Sequence, residues 1–365
     1  MPPLPRPSPV LPRIITYHQT HHDANTGKLV SLLPLLTEPS ISVTHVILAA
    51  IHLNLDPRAI TLNDHHPSDG RFDTLWAEIR ILQASAVKVM GMLGGAARGS
   101  FERLDGSDVQ FELYYTPLRD MIRDHALDGL DLDVEEPMSL AGIIRLIDRL
   151  RSDFGPDFVI TLAPVAMALL DSERNLSGFD YEALEVLRGR EISWYNTQFY
   201  CGWGDLTDSS MYHQMLQKGW PPEKVVIGLV TNPANGAGFV PWLMLSDVLS
   251  SLKRHHQQFA GVMGWEYFNS LPGDAERPWE WAREMTLLLR SRTNGECLAP
   301  FPPLPAGNPV QRPLEGPSTP VPAAPVDAEA TKVHVAEADP DEVNGVALVV
   351  PSQFDYYSDG LDDSA

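Results

Sequence analysis

Residues 127–139 read Leu-Asp-Gly-Leu-Asp-Leu-Asp-Val-Glu-Glu-Pro-Met-Ser, or LDGLDLDVEEPMS. Acids stand at Asp128, Asp131, Asp133, Glu135 and Glu136, yet the letters between the middle ones are Leu and Val, the composition of a buried strand. Side chains alternate along a strand, so Asp131, Asp133 and Glu135 project to one side and Leu130, Leu132 and Val134 to the other. A strand that is apolar on one face and acidic on the other needs a setting in which three carboxylates are tolerated. The interior of a closed barrel, open to substrate at its mouth, is such a setting. Pro137 ends the strand just after Glu135, which puts Glu135 at the C-terminal mouth.

Working outward, short apolar runs of the same kind recur at RIITYHQ (from 13), VTHVILAAIHL (43), VKVMGMLGG (87), FVITLAP (158), SWYNTQFY (193), KVVIGLV (224) and AGVMGWEYF (260). With LDGLDLDVE these are eight candidate strands whose starts lie 30 to 44 residues apart, room for a strand and a helix each. Helix-period segments fill several gaps. After Ser139, a natural N-cap, Leu140, Ile143, Ile144, Ile147 and Leu150 make one apolar face that runs to Gly155. WLMLSDVLSSLKRHHQQF and WEWAREMTLLLR read likewise. In VQFELYYTPLRDMIRDHAL, Pro117 either kinks the helix or starts it with Thr116 as cap. The alternation predicts an α/β (β/α)8 TIM barrel over residues 13–292. A doubly wound sheet is disfavoured, since no G-x-G-x-x-G or P-loop follows an early strand.

The flanks differ in kind. Residues 1–12 are Pro-rich, ten prolines fall between Pro300 and Pro325, and residues 293–365 continue as an acidic tail, so both flanks are expected to be disordered. Of the formal charge of −21, the stretch from Glu296 carries 12 acids against Arg312 and Lys332. A docking or anti-aggregation role for that tail is one expectation. So negative a chain repels phosphate backbones, which argues against nucleic acid as a partner. Cys201 and Cys297 make neither a disulfide framework nor a zinc pattern. Cys201, next to Tyr200, is expected to point the opposite way as a buried, inert thiol. The N-terminus lacks an apolar signal region and no run is long enough to span a membrane, so a monomer in the cytosol is expected, with export by another route left open.

Three readings of the acidic strand compete on spacing alone. Crowded carboxylates push each other's proton affinities apart, so Glu135 could stay protonated and act as an acid, with Asp133 supporting it and Asp131 sharing a proton deeper in. Alternating acids also suit a divalent cation. A buried acid pair kept for packing is the third.

The motif Asp128-Gly-Leu-Asp131-Leu-Asp133-Val-Glu135 resembles the D-x-x-D-x-D-x-E signature of glycoside hydrolase family 18. VKVMGMLGGA resembles that family's third-strand motif, WYNTQFY its Q-F-Y element on strand six, and GVMGWEYFNS its last strand. Within the family, DLDVE-x-PMS, WYNTQFY and GWEYFNSLPG are similar to fungal endo-β-N-acetylglucosaminidases, and Val134 stands where many chitinases have Trp. The resemblance implies a carbohydrate substrate with a GlcNAc-β-1,4-GlcNAc bond, in the N-glycan core by first preference and in chitin by second, with a sugar-binding lectin a distant third. It implies substrate-assisted retention with no cofactor. Glu135 would be the acid, Asp133 would orient the substrate's acetamide, Asp131 would support Asp133, and Tyr200 would bond the acetamide carbonyl. Substrate-binding roles would fall to Gly94, Gly95, Asn196, Gln198 and Trp265. Each has a plainer alternative: a core position for Tyr200 and Trp265, a turn for the glycines, a backbone contact for Asn196. The adjacent pairs His21-His22, His65-His66 and His255-His256 lack chelating spacing, and no metal is expected.

Overall fold

The computed structural model describes residues 11–291. Strands β1 (Arg13–His18), β2 (His45–His52), β4 (Lys88–Gly94), β5 (Gly129–Asp133), β6 (Val159–Leu162), β7 (Trp194–Gln198), β8 (Val225–Val230) and β9 (Gly261–Trp265) pair in parallel, and a two-residue β3 (Thr61–Leu62) adds antiparallel to the end of β2. Pairing of β1 with both β2 and β9 closes the sheet, with Ile15 opposite His45 on one side and Met263 on the other. The eight parallel strands and the helices between them are the (β/α)8 barrel that the alternation predicts. Only β3 lies outside the expected count. The expectations of disordered flanks fall on residues 1–10 and 292–365, which lie outside the described residues.

Parity along the strands sorts the core into two layers. Ile15, Tyr17, Ile47, Met90, Met92, Val226 and Met263 pack inside the barrel. Ile14, Val46, Val89, Leu130, Leu132, Ile160, Tyr195, Ile227 and Val262 face outward and pack with the helices. The strands are therefore buried on both faces and read as nearly continuous apolar runs. At the N-terminal end the interior is stoppered by a stack: the Arg13 guanidinium lies 4.3 Å over the Trp194 ring, and His45 meets the same ring edge-on at 4.7 Å. Burial lowers the Arg13 pKa to about 10 and the His45 pKa to about 3.

The helix Leu140–Phe154 begins as its cap predicts, with Ser139 Oγ accepting from the Gly142 amide at 3.0 Å, and ends at Gly155. The helix Asp108–Asp124 continues through Pro117, so the helix does not start there. Its cap is Ser107, nine positions earlier than the alternative at Thr116. The helices Trp242–His255 and Glu280–Arg290 pack on each other, and the latter also packs on β1.

Candidate active site

The five acids of the opening stretch divide by position. Asp128, before β5, takes the Lys88 ammonium at 2.7 Å, the Gln83 amide at 2.9 Å and the Val89 backbone N–H at 2.9 Å, tying β4 to β5 at its N-terminal end. Glu136 is buried and accepts from the Gly99 and Phe101 backbone amides at 2.6 and 2.8 Å, which orders the loop beyond β4. Both serve the frame. Asp131 and Asp133 point inward on β5 and are almost wholly buried. The strand ends at Asp133, four residues before Pro137, so Glu135 lies two residues beyond it, partly buried, and is placed by its contact with Gln198 instead of by strand parity.

Asp131 is the deepest and the best satisfied. Its Oδ2 accepts from the Tyr17 hydroxyl at 2.7 Å, and its Oδ1 from Thr161 Oγ1 at 2.5 Å and Asn196 Nδ2 at 3.0 Å. Burial raises its proton affinity, and these three donors pull it back. Asp133 accepts from a single side chain, Gln198 Nε2, at 3.1 Å. Burial, followed by the charges of Glu135 and Asp131, drives its pKa well up, and Gln198 opposes. Glu135 is raised by burial too, again opposed by Gln198, whose Nε2 lies 3.3 Å from Oε1. The same nitrogen also donates to the Ala163 carbonyl at 2.9 Å. One NH2 group thus serves three acceptors with two protons, and Asp133 and Glu135 compete for what is left. Such a pair shares protons and titrates as a unit.

The other expected site residues are placed as follows. Tyr200 lies two residues beyond β7, is buried among the interior side chains, and its hydroxyl is held neutral by burial and by the charges of Asp133 and Glu135. Trp265, at the end of β9, is half-buried against the interior cluster and meets the Tyr17 ring edge-on at 5.6 Å. Gly94 and Gly95 both have positive φ, +93° and +86°. A Cβ on Gly94 would stand 2.5 Å from the Asp133 carbonyl oxygen and 2.4 Å from the Phe101 ring, so backbone and ring, not ligand, require that glycine. At Gly95 a Cβ would come within 3.6 Å of the Asp133 carboxylate, and its N–H donates to the Asp133 carbonyl at 2.9 Å. Asn196 is fully buried with both ends of its amide engaged: Trp194 Nε1 donates to its Oδ1 at 2.8 Å and its Nδ2 donates to Asp131. That position is beneath the pocket, and the inward side chain of β7 that reaches the mouth carboxylates is Gln198.

Cys201 departs from expectation. It is half-exposed, has φ of +54°, and packs against the interior cluster on the same side as Tyr200. Strand alternation stops at Gln198, so parity no longer governs it. Burial raises its thiol pKa, with Glu135 adding to the effect.

Three residues of the constellation were not singled out by the sequence reading: Tyr17, Thr161 and Trp194. Tyr17 and Thr161 are polar side chains at inward positions of mainly apolar strands, and Trp194 shares the inward parity of Asn196 and Gln198 on β7; those are the signals that could have found them. Among the described residues no three His, Cys, Asp or Glu side chains converge as metal ligands, and no helix is long and apolar enough to cross a membrane.

A parallel barrel with proton-sharing carboxylates at the C-terminal ends of its strands defines a class of hydrolytic scaffold. The sequence profile of glycosyl hydrolases family 18 matches residues 13–238, and the chain belongs to that family. It is 52% identical to a fungal endo-β-N-acetylglucosaminidase of family 18, with a TM-score of 0.74 over 77% of this chain and 99% of that one. It is 58% identical to the chitinase ChiC from Aspergillus fumigatus, with a TM-score of 0.69 over 75% and 98%. Chitinase 2 of Rhizopus oligosporus is 30% identical over 207 residues, 52% of this chain and 36% of that protein. The chain spans less than half the length of the curated relatives it matches.

Proposed function

We propose that the protein is an endo-acting, retaining glycosidase that cleaves GlcNAc-β-1,4-GlcNAc bonds with the substrate's own acetamide as nucleophile. The observation that carries this is the pair Asp133 and Glu135 on one wall, both drawing on the Gln198 amide. A protein nucleophile must attack the anomeric carbon from the face opposite the acid. Asp133 and Glu135 both reach the same Gln198 nitrogen, at 3.1 and 3.3 Å, and so stand on the same side; the second is therefore poorly placed to be that nucleophile and well placed to serve a substrate group folded back beneath the sugar.

In this reading the proton shared by Asp133 and Glu135, whose affinity for it burial raises in both, sits on Glu135 when the substrate binds, and Glu135 gives it to the glycosidic oxygen as the C1–O bond breaks. The acetamide carbonyl oxygen bonds to C1, giving an oxazolinium ion. Asp133 accepts the acetamide N–H and offsets the positive charge, and Asp131, held by its three donors, keeps Asp133 oriented. Tyr200 donates to the acetamide carbonyl. Water then attacks C1 from the face where the leaving group stood, losing its proton to the ionised Glu135, while the bond from C1 to the acetamide oxygen breaks and the acetamide is regenerated, so the configuration is retained. Trp265 supplies an apolar plane for the sugar ring.

For the substrate we infer the chitobiose core of N-glycans, supported by the 52% identity to an endo-β-N-acetylglucosaminidase over nearly all of its length. Chitin is the second reading, favoured by the 58% identity to ChiC. A high-mannose glycoprotein and a chitin oligosaccharide offered side by side decide between them. Mass spectrometry should find the glycoprotein keeping one GlcNAc per site, and cleavage of the oligosaccharide alone overturns the N-glycan reading.

A further inference from the structure

Glu266 follows Trp265 directly and takes no part in the chemistry above. It is a buried carboxylate whose three close partners all come from the other side of the barrel seam. The Gln19 backbone N–H donates to it at 2.9 Å, the Thr20 backbone N–H at 2.8 Å and Thr20 Oγ1 at 2.8 Å. Burial pushes its carboxyl above the usual range and these donors pull it back. Gln19 and Thr20 open the loop that leaves β1. That loop is itself pinned, because the Gln19 carbonyl accepts from Asn63 Nδ2 at 2.8 Å and Asn63 Oδ1 accepts from the Ala50 amide at 3.0 Å.

The backbone of Trp265 and Glu266 is held independently from β8. The Thr231 amide donates to the Trp265 carbonyl at 2.8 Å, and Thr231 Oγ1 to the Glu266 carbonyl at 2.7 Å. The tryptophan is therefore fixed between two strand ends: its ring meets Tyr17 of β1 edge-on at 5.6 Å, and the Glu266 carboxylate supplies the hydrogen bonds to the loop after β1. An aromatic platform needs its plane set to within about 10–20° to keep contact with a ring above it. β9 pairs with β1 as far as Gly264 opposite Thr16, and beyond that point the hydrogen bonds of Glu266 are what tie the chain next to Trp265 to the β1 side.

We propose that Glu266 is a positioning residue, which fastens the Trp265 platform to the loop after β1 and so sets the plane on which the sugar rests. This rests on the reading of Trp265 as the sugar platform. A buried carboxylate kept only to tie a loop would affect unfolding and leave the ligand affinity of folded protein untouched, so affinity is the readout.

The test uses the full chain and GlcNAc-thiazoline, a mimic of the cyclised intermediate, with affinity measured well below the unfolding temperature. Glu266→Ala should weaken binding by roughly tenfold or more, whereas Glu266→Gln should recover most of it. Its amide oxygen can still accept from the two backbone N–H groups while Thr20 Oγ1 turns to accept. Trp265→Ala should weaken binding at least as much, and adding Glu266→Ala to it should cost nothing further. If Trp265→Ala binds poorly while Glu266→Ala binds like the parent, the anchor is refuted. Additive effects of the two changes refute it as well. If Trp265→Ala binds normally, the platform reading fails and takes the anchor with it. Parent protein that does not bind thiazoline sinks the substrate-assisted mechanism.

Discussion

Replacing Gln198 by Met removes the one donor that Asp133 and Glu135 both use, and keeps an unbranched side chain of similar length in the same space. Gln198 stabilises the ionised form of both carboxylates, since it lowers each of their proton affinities. Its loss must raise both. A hydrogen bond to a charged group contributes about 1.5–3 kcal/mol, and 1.36 kcal/mol is about one pK unit. Divided between two acceptors, that is roughly one unit each. The sign for catalysis follows. The alkaline limb of kcat/KM against pH reports loss of the proton from the acid, and the acid limb reports protonation of the carboxylate that must stay ionised. Both limbs should therefore move to higher pH, and the bell should shift as a whole without narrowing. The peak rate should fall by roughly tenfold to a hundredfold, as Asp133 loses the one side-chain donor it has among the described residues. The assay is a pH series on a chromogenic chitobioside or a labelled high-mannose glycan, with the fold checked by circular dichroism. Limbs that stay in place, or move to lower pH, in a folded variant would refute the claim that Gln198 governs the proton shared by this pair.

Glu135→Gln should abolish turnover, by roughly a hundredfold to ten-thousandfold, as expected for a lost general acid. The same change should raise the thermal midpoint near neutral pH. The folded-state pKa is raised, so ionisation favours the unfolded chain as pH climbs, and the neutral amide escapes that cost. Gly94→Ala should destabilise by about 3 kcal/mol or more in a denaturant titration, because φ of +93° and contacts of 2.4 and 2.5 Å leave its methyl no room. The buried imidazoles act in the opposite sense to the acids. The pKa of His21 is lowered to about 4 and that of His45 to about 3, so the unfolded chain takes up protons first. Stability from this source is full above about pH 6.5 and is lost as pH falls toward 3. Midpoints recorded from pH 7 to pH 4 should show that loss, and His45→Gln should make it shallower by one proton's worth.

Much of the frame is legible in the chain. Eight apolar runs at the spacing of a strand and a helix admit few architectures other than the barrel, and period-two alternation then dictates that Asp131 and Asp133 share its interior, with Glu135 two residues past the strand's end. The cap at Ser139 is equally local, a hydroxyl serving the first free amides of its own helix. At Pro117 the local sequence offered two outcomes, and tertiary packing decided that the helix runs through it instead of starting there. Cys201 was misread because alternation holds only while the strand lasts, and the chain turns there with a positive φ.

What the sequence determined by itself is which side chains enter the barrel, because periodicity is a property of the backbone and needs no partner. What only the tertiary structure decided is how the carboxylates differ from one another. Tyr17 meets Asp131 across 114 positions and Gln198 meets Asp133 across 65, and no local pattern encodes those meetings. They make the deepest acid a well-satisfied support and leave the two at the mouth to share one amide and their protons. The proton affinity of a buried carboxylate depends on the donors that reach it, and closure of the barrel chooses those donors.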